Sequence, residues 1–525
     1  MSATLTAPVL HGEDAGLQDI PLELLQMASQ LRRLSQEGAS GGTFVEREER
    51  ALAVVCQMYL WTLGAVLREH PLAQRGLEYP CPHKCGGRIR IQREQQHREI
   101  AGQLARISYN RDYGRCDRCG ISGAPLDWEL GLADQAVSVG LLKRLCHATV
   151  VCSSFKAASE ILRESFLRVE MSAKRVRELA EDEGRLLAQA RDEQARAYAQ
   201  HRLAVAGPEQ APRLLVVGAD GGRVQTREGF AERGSRERLE LARAHGQRET
   251  IEAAQQDEPP ERWKEDKVGV VYDVAPKLQP GVKYGEYQGA KAKVKTYVAT
   301  MQPWDSFGWM LRLEAERRGY LKANAKLFLA DGAPHIREVK NTHFPEAVFG
   351  LDWAHGTGHL GDCAKAIFGE GTNEARGWYR EHRDMLWDGK RDEIIAELEK
   401  QSRRLGEPKE GEPGSNPRVV VYRNAFSYFP NNRDAMDYPS FRAKGWPIGS
   451  GVVEGAVKQF AMRVKGSEKF WNPGVELGEP TLEKDMPRPE NTGAEEMLAL
   501  AALYHCEDGR WQKHWDERGR PKRWD

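Results

Sequence analysis

Along the carboxyl-terminal two-thirds of the chain the apolar positions fall in short runs, whereas along the amino-terminal third they recur every three or four residues. The runs are LLVVGA at 214–219, VGVVYDV at 268–274, VKTYVA at 294–299, KLFLA at 326–330 and AVFGL at 347–351. Runs of this kind fit buried strands of a mostly parallel sheet. The first, fourth and fifth lead directly into Asp220, Asp331 and Asp352. Ligand-binding groups of such sheets collect beyond the strands' carboxyl ends, so Asp331 and Asp352 are expected on one edge. A single aspartate after a strand serves equally well as the cap of the next helix. A helix is predicted around 305–318, and others after the fourth and fifth runs.

The amino-terminal part reads differently. Residues 1–80 read as helical, with a Gly/Ser break at 37–42. The uncharged stretch 51–67 is short for a bilayer, and Thr43 with Glu46 forms a capping box ahead of it, which predicts a buried helix of a soluble protein. Val137, Leu141, Leu145 and Ala148 repeat at helical spacing within 134–151. A second helix over 154–167 should bury Phe155, Ala158, Ile161 and Leu162. A third starts after Ser172 as cap, carries Lys174, Arg175 and Arg177 in its first two turns, and runs to about Gln200. Two short helices before a basic one suggest a helix-turn-helix region that binds DNA. The alternative is a plain bundle with solvated basic residues. AGPEQAP at 206–212 reads as a linker.

Composition changes this picture locally. Lys plus Arg and Asp plus Glu are 77 each, so the overall charge announces no polyanionic partner. Between Cys81 and Cys119, however, nine Lys or Arg face four acids, a net of +5. CPHKC at 81–85 and CDRC at 116–119 are two close cysteine pairs, the arrangement of a zinc ribbon in which four thiolates close a tetrahedral site. Cys81, Cys85, Cys116 and Cys119 are therefore expected to hold a structural Zn²⁺, with His83 as a substitute ligand. Alternation through Arg88, Arg90, Gln103, Ala105, Ile107 and Tyr109 fits the ribbon's strands. Nine cysteines argue against a secreted disulfide framework, and the amino terminus lacks a basic start followed by an apolar core, so a cytosolic location without membrane is expected.

WPIGSGVVEGAVKQFAMRVKG at 446–466 supplies a further carboxylate, Glu454. On a helix from Val452 to Lys465, Lys458 projects about 40° and Lys465 about 20° from Glu454. Val452, Val453, Ala456, Val457 and Phe460 make this helix a buried one. Asp220, Asp331 and Glu454 form an oxygen set suited to two Mg²⁺ (or Mn²⁺) ions in phosphodiester chemistry, with Lys458, Arg463 and Lys465 as groups for a DNA backbone. Asp352 and His355, spaced DxxH, are a positioning or proton-handling pair. A histidine-rich phosphohydrolase using Asp331, His335, Asp352, His355 and His359 is the competing reading.

ADGG at 219–222, LADGA at 329–333, LDWAHGTGHL at 351–360, GSGVVEGAVK at 449–458 and RVKGSEKFW at 463–471 resemble the bacterial insertion-sequence transposases of the ISKra group. CPHKCGG, CDRCG, APLD at 124–127 and GRWQKHW at 509–515 extend the resemblance over most of the chain. It implies a multidomain α/β protein with a ribonuclease H-like DDE catalytic domain and the triad Asp220, Asp331 and Glu454. The wider Mutator-like and hAT-like relatives carry a helical insertion and a C/DxxH motif, which fit 370–445 and Asp352/His355. The expected organisation is a helical region 1–80, a zinc ribbon 81–130, a helical DNA-binding region 131–205, a ribonuclease H-like core 213–369, the helical insertion 370–445 and a catalytic-helix part 446–525. The implied activity is Mg-dependent hydrolysis at terminal inverted repeats and strand transfer into target DNA, by a homo-oligomer on double-stranded DNA in the bacterial cytoplasm. A catalytically inactive or domesticated regulator is the alternative. Two features depart from the group: CPHKC is one residue longer than the usual CPxC, and residues 472–492 form a Pro-rich acidic insert expected on the surface.

Overall fold

The computed structural model describes residues 43–70, 72, 79–132, 136–165, 170–226, 263–466, 469, 471 and 493–520, with scattered positions between 25 and 36. The Gly/Ser break at 37–42, the first helix before it, the charged stretch to Pro260 and the 472–492 insert lie outside the described residues. The chain is mixed α/β with two sheets, in two compact units. One comprises Met1–Leu141, Leu162–Glu170 and Glu517–Asp525; the other comprises Leu142–Ile161 and Met171–Asp516. Residues 131–205, expected as one region, are thus shared between the two. Among the described residues no helix is long and apolar enough to cross a membrane.

In the first unit α1 (Phe44–Glu69) starts at the expected capping box: the Thr43 side chain accepts from Glu46 N, and the Glu46 carboxylate accepts from Thr43 N. Its burial is slight, because Val54 and Leu67 are covered while Val55, Met58 and Leu60 face outward. A small antiparallel sheet follows in the order β1 (Tyr79–Pro80), β2 (Arg88–Ala101), β3 (Arg106–Cys116), β4 (Ser122–Gly123). Residues 102–105 form the hairpin turn, closed by Gly102 N to Ala105 O at 2.9 Å, so Gln103 and Ala105 leave the alternation predicted for them. The APLD stretch opens α2 (Pro125–Glu129) and buries Asp127. Its carboxylate meets Arg98 at 2.6 Å, Arg111 at 2.7 Å and the Tyr109 hydroxyl at 2.7 Å. Two of the ribbon's arginines therefore neutralise an internal acid and are lost to any external partner; a buried carboxylate needs such partners.

The second unit is built on a five-stranded sheet: β5 (Leu215–Gln225), β6 (Trp263–Val274), β7 (Ala292–Thr300), β8 (Lys326–Ala330) and β9 (Val348–Leu351), in spatial order β7-β6-β5-β8-β9. β5, β6 and β7 pair antiparallel, while β8 and β9 run parallel to β5. Helices α3 (Val139–Val151) and α4 (Phe155–Glu164) precede α5 (Ala173–Ala199), which is capped by Ser172 as expected. Ile161 is exposed, contrary to its predicted burial.

Beyond its first turns α5 is a spine of this unit. It buries Val176, Leu179, Ala180, Glu183, Gly184, Ala188 and Ala195. A Cβ at Gly184 would strike the Glu496 backbone. On the sheet's two faces lie α6 (Trp304–Arg317), where Leu311 and Phe307 fill the space above Gly269, and a later helix carrying Glu454. After β8 and β9 come α7 (Pro334–His343) and α8 (Trp353–Phe368). The insertion contributes α9 (Asn373–Trp387), α10 (Arg391–Leu405), α11 (Pro417–Arg423), a π-helical turn Asn424–Tyr428, and α12 (Tyr438–Ala443). Then follow α13 (Gly451–Val464), α14 (Ala494–His505) and α15 (Arg510–Arg518).

Candidate functional site

Two clusters of ligating side chains stand out among the described residues. The first is Cys81, Cys85, Cys116 and Cys119, whose sulfurs all lie within 4.8 Å of one another. Cys81 and Cys119 are 3.4 Å apart, Cys85 and Cys116 3.5 Å. Zn–S bonds of about 2.3 Å on a tetrahedron require sulfurs roughly 3.8 Å apart, so the cluster can close on a zinc ion with little movement. Each pair sits on a tight knuckle: Lys84 N bonds Cys81 O and Gly120 N bonds Cys116 O, with Gly86 and Gly120 at positive φ. Gly87 N and Arg118 N point at the Cys85 and Cys116 sulfurs at 3.4 Å. Such amides favour thiolate; those of Cys119 and Arg118 lower the Cys116 thiol to about 6, whereas burial pushes the Cys81 thiol up to about 12. Lys84, inside the CPHKC knuckle, takes φ 50°. His83 Nδ1 lies 3.7 Å from the Cys119 sulfur, beside a set that four cysteines already complete.

The second cluster gathers at the β5, β8 and β9 side of the large sheet. Asp352, His355 and Glu454 bring their ligand atoms within 4.8 Å of one another. Asp220 lies in β5 opposite Val268, and Asp331 directly follows β8. Burial raises the Asp220 carboxyl above its ordinary value; the Gly221 N–H opposes this, and the negative charges of Asp331 and Glu454 add to it. All five predicted residues therefore belong to one neighbourhood. Neither Asp220 nor Asp331 forms an ion pair among the described residues, and Glu454 has the exposed Lys458 at 4.0 Å.

The five are held in different ways. Asp331 accepts from Ala333 N at 2.9 Å in a tight turn through Gly332, which has φ 84° and where a Cβ would strike Leu351 and Asn432. Its carbonyl accepts from the Tyr428 hydroxyl of the π-helical turn at 3.3 Å. Asp352 is 1 % exposed and joins two helices: Oδ1 caps α8 by accepting from His355 N at 2.8 Å, and Oδ2 accepts from Ser450 N at the entry to α13. His355 is exposed on the first turn of α8. Glu454, in the first turn of α13, lies 3.4 Å from the Ser450 hydroxyl.

The glycines beside Asp220 explain the ADGG stretch. Positions 218, 220 and 222 share a strand face. A Cβ at Gly218 would collide with Val453 of α13, and one at Gly222 with Lys465 and Asp266. Lys465 itself corrects an expectation. α13 ends at Val464, Lys465 is extended (φ −106°, ψ 152°), and its ammonium sits 3.3 Å from the buried Asp266 of β6. It does not share the Glu454 face and is not free for a phosphate. Arg463 is corrected too: it is 3 % exposed, stacked 4.0 Å over Phe155 and 5.4 Å over Trp471, and burial lowers it to about 10. Of the cations on the third helix, Arg175 pairs with Glu178 at 3.2 Å and Arg177 with Glu181 at 3.9 Å, while Lys174 is exposed.

Sequence reasoning passed over Asp266 and Tyr428. An Asp-Lys pair directly before the apolar run at 268–274 was the available signal for the first; the second has none, since only the fold carries Tyr428 to Asp331. The histidines of the competing reading diverge. His335 stacks on Trp304 at 4.5 Å, and His359 stacks on Tyr428 at 3.5 Å while bonding Asn424 at 2.8 Å. Neither protein-family models nor curated proteins yield a match to this chain.

Proposed function

We propose that this chain is a DNA transposase that hydrolyses a phosphodiester at the ends of its element and joins the freed 3′-hydroxyl to target DNA. The observation that carries the reading is that Asp220 in β5, Asp331 directly after β8 and Glu454 in the first turn of α13 are near enough for the charges of Asp331 and Glu454 to raise the Asp220 carboxyl, next to Asp352, His355 and Glu454, whose ligand atoms lie within 4.8 Å of one another. The strand order β7-β6-β5-β8-β9, with three antiparallel members and two parallel to β5, supports a ribonuclease H-like core in which these are the catalytic acids. A donor set with this surplus of negative charge fits Mg²⁺ or Mn²⁺, and Asp220, Asp331 and Glu454 would hold two ions. Bound there, the metal supplies activation of the attacking oxygen and stabilisation of the leaving one.

The chain's own residues arrange the rest. Asp352 fixes the start of α8 and the approach to α13, so it sets where His355 and Glu454 stand. His355, exposed beside Glu454, is placed to take or give a proton at the mouth of the site. The four-cysteine cluster, as a structural zinc site, would order the first unit for recognition of terminal inverted repeats, with a homo-oligomer bringing two ends together.

The test is cleavage of a supercoiled plasmid carrying the coding segment with its flanks, in Mg²⁺. Wild type should nick at the element ends, and Asp220→Ala, Asp331→Ala and Glu454→Ala should each lose nicking while retaining DNA binding. A wild-type protein that binds and cuts no such donor rejects the function. Wild-type rates in Glu454→Ala reject the site.

A further inference from the structure

Resting on the transposase reading, we infer that the β6–β7 loop, residues 275–291, together with Lys293 at the start of β7, is a surface by which the unit that carries the carboxylate cluster grips the phosphate backbone of duplex DNA. Of the three cations expected to do this, two are spent internally, Arg463 under aromatic rings and Lys465 on Asp266, while Lys458 is exposed 4.0 Å from Glu454. Residues 275–293 hold four lysines against one acid, Glu286. Lys283, Lys291 and Lys293 are exposed, and none has a side-chain hydrogen bond or ion pair among the described residues. Exposed unpaired ammonium groups are the cheapest phosphate ligands, since no internal bond must break first.

The loop is tied down at several points. Lys277 N bonds Gly445 O at 3.1 Å, Gln279 N bonds Arg442 O at 3.0 Å, and the Trp387 indole donates to Val282 O at 2.9 Å. Tyr284 packs 5.7 Å from Trp353 and 5.3 Å from Trp387, with the Arg383 guanidinium 4.4 Å over its ring. Trp353 directly follows Asp352, and its N–H bonds Ile448 O two residues before Ser450. The loop is thus docked on Trp387, on Arg442 and Gly445, and on Trp353, the residue after Asp352.

Its outer side suits a large partner. Gly281, Gly285 and Gly289 recur every fourth residue, and at each a Cβ would meet nothing within 4 Å. Bare backbone flanked by free lysines lets phosphates approach closely. Such contacts carry no sequence information, so this grip serves target and element DNA alike.

The experiment uses full-length protein and the triple variant Lys283→Gln/Lys291→Gln/Lys293→Gln, with Lys322→Gln/Lys400→Gln/Lys409→Gln as a charge-matched control. Binding is measured over a salt series on two duplexes, one from the element end and one unrelated. We expect the triple variant to lower the log–log salt slope by roughly 3 on both duplexes, with affinity down about tenfold or more, and the control to match wild type. An unchanged slope, an equal drop in the control, or a loss on the element-end duplex alone overturns the loop's role. If wild type binds neither duplex, the transposase reading fails as well.

Discussion

The sulfur cluster and the oxygen cluster are both sets of four or five ligating groups, yet they are assembled by opposite means. The cysteines come from two knuckles whose own amides point at the sulfurs, so each pair is oriented within five residues of chain. The carboxylates come from β5, β8, β9 and α13, and what orients them is the packing between those elements. A locally built site is robust to its neighbours and tied to its ligand. A site built by packing is sensitive to every joint behind it, and the joints are where its geometry can be probed.

The largest effect is expected at the sulfur cluster. Cys116→Ser removes one of four thiolates from a module whose strands bury Cys116 itself together with Tyr79, Ile89 and Trp128. Purified wild-type protein should hold one tightly bound zinc, and the variant should lose both the zinc and protease resistance over 81–125. Wild type prepared without chelators and found free of zinc contradicts the assignment.

Next in size is the joint at Asp352. Asp352→Ala uncaps α8 and leaves the Ser450 amide without its buried acceptor, a destabilisation of roughly 2–4 kcal/mol. Cleavage should fall about 10²- to 10⁴-fold, as for a positioning or proton-transfer defect, while metal content at the cysteines is untouched. Thermal melting and nicking rates read the two consequences. Total loss of cleavage with an unchanged melting temperature would instead make Asp352 a direct metal ligand.

The smallest effect separates the clusters by pH. Burial lowers His505 to about 4; it bonds Gln459 of α13 at 2.8 Å and lies edge-on to Phe460. The folded state prefers neutral imidazole, so this stability is present above about 6.5 and is lost as pH falls from there towards 4. His505→Gln should melt with a shallower pH dependence across that window than wild type by a few degrees, without changing the acid release of zinc. Identical melting curves would show that His505 does not support α13.

These differences also explain what could be read from the sequence. The strands were legible because buried strands write uninterrupted apolar runs, and β8 and β9 begin and end within a residue of KLFLA and AVFGL. The Thr43 capping box and the cysteine knuckles were legible because they are local. The fates of Lys465 and Arg463 were not. Projecting a helix through 465 overran its end by one residue, and the ring that covers Arg463 belongs to Phe155, far away along the chain. Likewise the early basic residues of α5 suggested a recognition helix, whereas its later turns hold Arg191 on Glu495 of α14. Charge type was visible in the sequence, but whether a charge is spent inside depends on tertiary partners.

One detail of β5 has mechanical meaning. On the face turned to α13, Asp220 stands between two residues without side chains, so the helix rests almost directly on the strand's main chain near Gly218. The separation between the acid on the strand and the acid on the helix is therefore gauged by the Val453 side chain seated on bare main chain at Gly218. The site carries its own calliper, zeroed by glycine.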